Sequence, residues 1–265
     1  MNKNGQLLKN AECFVFDLDG TVYRGGKLID GAKETIDYLR KTGKKVIFLT
    51  NNCSVSKEYY VKKINAIGID VEEKDVYTAG NATIRYLNLN HKGQTVYLVG
   101  TNALKEEFIK GGITVVEDKP DIVCVSYDKE INYEKLVKAT RFLTQGALYI
   151  ATHPDINCPA EPVYEPDVGA LMALIEKSCK KTPSVICGKP YKPIADGIAE
   201  FVGVDFDKIA MVGDRITTDI AFGVNNGLIA TMVLSGESTE KDVEITGIIP
   251  NVILNSIKDI PNYLK

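Results

Sequence analysis

Short apolar runs alternate with amphipathic stretches along almost the whole chain, and that alternation restricts the fold more than any other feature. Runs such as Cys13–Phe16, Lys45–Leu49, Ile209–Val212 and Ile229–Val233 have the length and residue types of buried strands. Between strands, stretches such as Ala32–Lys41, Ser56–Ile67, Pro193–Phe201 and Thr218–Asn225 carry helical spacing, and Gly43 and Gly68 stop two of them. Strands apolar on both faces need helices on both faces, which predicts an α/β parallel sheet, doubly wound. The strands are too many for one sheet. A second βα series through Thr95–Val99, Ile122–Ser126 and Leu148–Ala151 predicts a smaller α/β domain inserted over 80–183, with hinges at Thr78–Ala82 and Lys180–Ser184. Residues 1–79 and 184–265 then form the core domain, with Ser184–Cys187 as one of its strands.

Composition excludes several classes. A net charge of −3 over 265 residues gives no footprint for nucleic acid or an anionic membrane. The apolar runs are far shorter than a membrane span, and residues 1–12 lack the apolar core of a signal peptide. The six cysteines form no CxxC pair and read as reduced thiols, so a cytoplasmic location is expected. The chain has only two histidines, His91 and His153, too few for a His-rich metal cluster.

In an open parallel sheet, ligands gather beyond the C-terminal strand ends. Four polar clusters stand at such positions: Asp17-Leu18-Asp19-Gly20-Thr21, Thr50-Asn51-Asn52-Cys53-Ser54, Gly188-Lys189-Pro190 and Gly213-Asp214-Arg215, followed by Thr217-Thr218-Asp219. Taken singly, each has a plain reading. Asp and Gly favour turns, Ser54 or Ser56 suits a helix N-cap, most lysines are solvated, and a first-turn Asp offsets a helix dipole. An Asp-x-Asp pair also occurs as the metal clamp of nucleotide-sugar transferases, though deeper in the chain than a first strand. Two acids directly after an uninterrupted apolar strand are costly unless a cation or a proton offsets them.

Together the clusters specify a chemistry. Asp17 and Asp19 after one strand, with the pair Asp214 and Asp219 completing the cation site after another, suit Mg²⁺, which takes oxygen ligands and keeps some water. Donors from Thr50, Asn51, Asn52, Ser54 and Lys189 suit a dianionic phosphoryl group. A carboxylate beside that group is a nucleophile, and a second acid serves the leaving oxygen.

The four clusters, in this order, resemble the four motifs of the haloacid dehalogenase superfamily, most closely its NagD-type and 4-nitrophenyl-phosphatase-like enzymes. The resemblance spans nearly the whole chain. It implies a Rossmann-like core with an α/β cap inserted between the second and third motifs. It implies Asp17 as nucleophile, Asp19 as general acid/base, and Thr50 and Lys189 as phosphoryl ligands. Asp17, the backbone carbonyl of Asp19, and Asp214 are implied as Mg²⁺ ligands, with Asp219 orienting Lys189 or a metal-bound water. The superfamily's dehalogenases lack the acid at Asp19, so phosphoester hydrolysis is favoured. The cap's specificity loop corresponds to Ala151–Pro159, making His153 and Asp155 candidate substrate contacts where relatives often carry Asn at the first position. Arg24 lies in the stretch where the superfamily has a flap.

The expected function is Mg²⁺-dependent hydrolysis of a small phosphorylated metabolite through an aspartyl-phosphate, with a homodimer through the cap as the possible assembly. A phosphotransferase or phosphomutase of the same superfamily, or a non-catalytic ligand-binding member, are the alternatives.

Overall fold

Residues 5–159 and 163–265 are described by the computed structural model. The chain's contacts gather into two compact units. One holds Met1–Thr50, Tyr60–Tyr77 and Lys189–Lys265; the other holds Asn51–Tyr59 and Thr78–Gly188.

The strands in chain order are β1 (Cys13–Phe16), β2 (Tyr23–Arg24), β3 (Lys27–Leu28), β4 (Lys45–Thr50), β5 (Val76–Thr78), β6 (Thr95–Val99), β7 (Thr114–Val115), β8 (Ile122–Val125), β9 (Leu148–Ala151), β10 (Asn157–Cys158), β11 (Glu165–Pro166), β12 (Val185–Ile186), β13 (Ile209–Gly213), β14 (Ile229–Val233) and β15 (Val252–Leu254).

The first unit is built on a six-stranded sheet of order β15-β14-β13-β1-β4-β5. β1 lies between β13 and β4, parallel to both, and every one of its four side chains is buried. Phe14 and Phe16 point to one face and stack there at 6.3 Å. Burying each such ring contributes ~1.5–3 kcal/mol, which is why a four-residue apolar run suffices to fix the strand. The register sets Phe16 beside Val212 on one side and Phe48 on the other. Asp17, Asp214 and Thr50 therefore leave the same end of three adjacent strands.

The helix expected over Thr218–Asn225 begins differently. Ile216–Ile220 forms a π turn, and the α-helix proper is Ala221–Asn226. The wide turn brings Asp219 back against Gly213, where any Cβ would run into the aspartate side chain. Glycine is needed at 213 for that approach.

The second unit has a five-stranded parallel sheet of order β12-β9-β8-β6-β7. Val99, Val123, Val125, Phe142, Leu143 and Val168 are central to one of its cores. Helices here start on side-chain caps: Thr101 accepts from Leu104 N, Asn132 from Lys135 N, and Asp167 from Val168 N. β12 corrects the sequence reading, which gave Ser184–Cys187 to the core. Val185 pairs with Ile150 and Ile186 with Ala151, so this strand closes the second sheet, and the unit runs on to Gly188. Its two residues are only partly buried, and nothing in so short a run marks which sheet it joins. Residues 51–59 also belong to this unit. Thr101 Oγ1 donates to Ser54 O at 2.9 Å, and Lys57 N donates to Glu107 at 2.6 Å. Among the described residues, no helix is long and apolar enough to cross a membrane.

Candidate active site

The site in the first unit starts where β1 ends. Asp17 N still donates to Val212 O at 2.9 Å, so the sheet holds the residue's backbone while its side chain clears the strand end. The chain then turns tightly: Val22 N reaches Leu18 O at 2.9 Å, and Gly20 N reaches Tyr23 O at 2.8 Å. Gly20 sits at φ +85°, in the left-handed region, and a Cβ there would collide with the Asp214 carboxylate. Two separate constraints thus require glycine at position 20.

Asp214 leaves β13 fixed from several sides. Glu237 N donates to its Oδ2 at 2.7 Å, and Thr21 Oγ1 donates to its Oδ1 at 3.3 Å. Gly236 lies so close to this carboxylate that a Cβ would overlap it. Thr21 entered the sequence reading only as the end of the first cluster, and the Ser235–Ser238 turn was not singled out. The legible signal was a Ser-Gly pair just beyond a buried strand, at the end of the sheet where ligands gather.

Lys189 joins the carboxylates. Its Nζ is 2.6 Å from Asp17 Oδ1 and 2.6 Å from Asp219 Oδ1, and its side chain is 3% exposed. Asp219 is held in turn, its Oδ2 accepting from Arg215 N at 3.1 Å. One carboxylate oxygen from each of Asp17, Asp214 and Asp219 lies within 4.8 Å of the others.

Three carboxylates against one ammonium leave an excess of negative charge out of water. Burial pushes Asp17 well above the usual carboxylate range, Asp219 and Asp214 add to the shift, and Lys189 opposes it. Asp214 is pushed up to about 6, first by burial and then by Asp219. For Lys189, burial acts to lower the pKa, but Asp17 and Asp219 outweigh it and the net shift is upward. A set of anionic oxygens this close, with glycines clearing space at 20 and 236, fits a hard divalent cation. Asp19 differs from its neighbours. It remains exposed at its surface, yet the protein around it raises its carboxyl pKa, against the pull of Lys63.

Thr50, 8% exposed, ends β4 in the same unit. Asn51, Asn52 and Ser54 belong to the second unit, where they form their own turn. Asn52 Oδ1 accepts from Ser54 N at 3.0 Å and Ser54 Oγ at 2.8 Å. Asn51 Nδ2 donates to both carboxylate oxygens of Asp155, at 3.3 and 3.2 Å. His153 is wholly buried, its Nδ1 2.9 Å from Thr152 Oγ1 and its Nε2 3.0 Å from Asp167 Oδ1. Its ring ties the 153–158 loop to the helix that Asp167 caps, a structural task the sequence did not disclose. Arg24 is exposed at the tip of the β2–β3 hairpin.

Residues 14–114 match the family model for haloacid dehalogenase-like hydrolases, and residues 186–260 match a second, HAD-hydrolase-like model. An acid sugar phosphatase of Staphylococcus aureus is 35% identical over 254 residues, 96% of each chain. The chain belongs to the haloacid dehalogenase superfamily. Within that superfamily it is a NagD-type phosphatase. The crystal structure of a Thermotoga maritima 4-nitrophenylphosphatase superposes with a TM-score of 0.94 at 37% identity, over 98% of this chain and 99% of that one. NagD of E. coli K-12 superposes with a TM-score of 0.87 at 30% identity, over 94% and 98% of the two chains. The haloacid dehalogenase-like phosphatase fold accounts for the parallel sheets with their flanking helices.

Proposed function

We propose that this phosphatase hydrolyses small phosphomonoesters through a phosphoryl group carried on Asp17, with Mg²⁺ as the resident ion. The observation that supports the reading most is Lys189, held at 2.6 Å from both Asp17 and Asp219 while Asp214 shares the same cluster. Asp17, Asp214 and the backbone carbonyl of Asp19 are the groups that would hold Mg²⁺. When bound, the ion neutralises charge on the transferring phosphoryl oxygens and offsets the repulsion among the carboxylates.

An Asp17 carboxylate oxygen attacks phosphorus, forming an O–P bond as the bond from phosphorus to the leaving oxygen breaks. Asp19, with its raised carboxyl pKa, gives its proton to that leaving oxygen. Lys189 and Thr50 bind the phosphoryl oxygens, and Lys189 carries the fixed positive charge that acyl-phosphate formation needs. In the second step Asp19 takes a proton from water, the water oxygen bonds to phosphorus, and the O–P bond to Asp17 breaks. Inorganic phosphate leaves, and both carboxyl groups return to their starting states. Sugar phosphates are the first substrates to examine, since a relative 35% identical to this chain is an acid sugar phosphatase. Nucleoside monophosphates, glycerol phosphate and pyridoxal phosphate are further candidates.

Quenching turnover and reducing the protein with borohydride tests this reading, because borohydride reduces an acyl phosphate to an alcohol. The expected outcome is a modified side chain at position 17 only during turnover, together with loss of 4-nitrophenyl phosphate hydrolysis in Asp17→Asn. Unmodified Asp17 alongside steady turnover rejects the covalent route.

A further inference from the structure

A cavity of about 390 Å³ opens in the first unit, beside the start of β4. Small-molecule pockets span roughly 300–1,000 Å³, so the space suits an organic molecule and is too large for an inorganic ion. Arg40, Lys44, Lys45 and Lys74 line it, against a single acid, Asp75.

Three of the cationic groups hydrogen-bond to backbone carbonyls. Arg40 Nη1 donates to Asp70 O at 2.5 Å, Lys44 Nζ to Ala11 O at 2.6 Å, and Lys45 Nζ to Val202 O at 2.5 Å. A carbonyl satisfies the hydrogen bond and fixes the head group but carries no formal charge. The positive charge therefore stays in the cavity. Asp75 stands 3.4 Å from Arg40, and Lys74 pairs with Glu72 in a solvated contact where both side chains are at least 70% exposed. Such a pair screens weakly. Glu12, which lies near Lys44 and Lys45, is itself bonded to Lys208 at 2.8 Å.

The other wall is apolar. Val46, Phe201 and Val202 contribute to it, and Phe201 is backed by Tyr77 at 5.2 Å between ring centroids. A chain with a net charge of −3 thus concentrates four cations around one half-apolar hollow. Low-dielectric walls beside like charges focus the field on whatever enters.

We propose that this cavity is a second ligand site, for a small organic anion with a flat apolar body, such as an aryl phosphate, sulfonate or carboxylate. It is separate from the Asp17 cluster: Lys45 opens β4 and Thr50 closes it, about 16 Å further along the strand. The anionic group meets Lys45 and Lys74, and the flat body lies on the Phe201 side. The inference stands whether or not the reading of Asp17 holds.

Titration with naphthalene-2-sulfonate, which has no phosphoester to cleave, tests it by amide NMR, with neutral naphthalene-2-methanol as the control. The expected result is saturable binding with shifts at Lys45, Lys74 and Phe201. Affinity should drop about tenfold or more in Lys74→Glu, in Lys45→Glu/Lys74→Glu and for the neutral analogue. Hydrolysis of 4-nitrophenyl phosphate should be unchanged in both variants. Shifts that never saturate, shifts confined to residues around Asp17, or equal binding of the neutral analogue would overturn the proposal.

Discussion

Lys189 and Asp219 meet at 2.6 Å with 3% and 1% of their side chains exposed, and Asp219's other oxygen is held by the Arg215 N–H. The ammonium is therefore fixed from behind while it reaches Asp17. Asp219→Asn keeps the size but removes the charge that anchors Lys189. We expect kcat for 4-nitrophenyl phosphate to fall ~10–100-fold, the range typical of a residue acting through its neighbour. KM should change less than kcat. An equal fall in kcat/KM with an unchanged kcat and a raised KM would instead place Asp219 in substrate binding.

Gly236 gives the simplest steric test of the cation site. Its Cβ would overlap the Asp214 carboxylate, so Gly236→Ala must displace one or the other. The displaced ligand should raise the Mg²⁺ concentration needed for half-maximal activity by about tenfold. Folding should survive, because the turn lies at the sheet edge and Glu237 N can still seek Asp214. Unaltered Mg²⁺ dependence would mean that Asp214 is not a ligand.

Excess negative charge among Asp17, Asp214 and Asp219 has a thermodynamic consequence. A cation bound only to the folded state stabilises it by ~2.7 kcal/mol at a hundred times its Kd. Thermal melting should show Mg²⁺ raising Tm of the parent protein and failing to do so in Asp214→Asn. A matching rise in both proteins would put the ion elsewhere.

His153 supplies a pH dependence of its own within the second unit. Burial lowers its pKa, but Asp167, with help from Cys53 and Asp155, brings it well above the ordinary imidazole range. A base whose folded pKa is raised gives its full stabilisation below its unfolded value of ~6.5 and loses it as pH climbs through the folded value. Denaturant unfolding should therefore show stability declining from neutral into alkaline pH. His153→Asn should be destabilised by about 3 kcal/mol at pH 6 and show a flatter alkaline limb. Parallel pH profiles for the two proteins would mean that the ring is neutral when folded.

Much of this was legible because buried parallel strands leave a strong mark. The run Cys13–Phe16 ending in Asp17 and the run Ile209–Val212 ending in Gly213-Asp214 announced both a sheet and the acids that gather at one end of it. The parts that were not legible depend on partners distant in the chain. β12 has two half-buried residues, and only its pairing with β9 decides its sheet. His153 looked like a loop residue open to substrate because its partner Asp167 stands 14 positions away. Gly236 was not singled out, because nothing local reveals the carboxylate against it.

The central position of β1 has an implication for synthesis. Lys189 and Asp17 stand 172 positions apart, and β1 takes β13 as a neighbour. A ribosome releases Phe14 and Phe16 long before this neighbouring strand exists, leaving a sticky apolar ribbon to be shielded meanwhile. Asp17 consequently has no lysine beside it until most of the polypeptide has emerged. A truncated product would therefore carry the Asp17 carboxylate without its buried cationic partner.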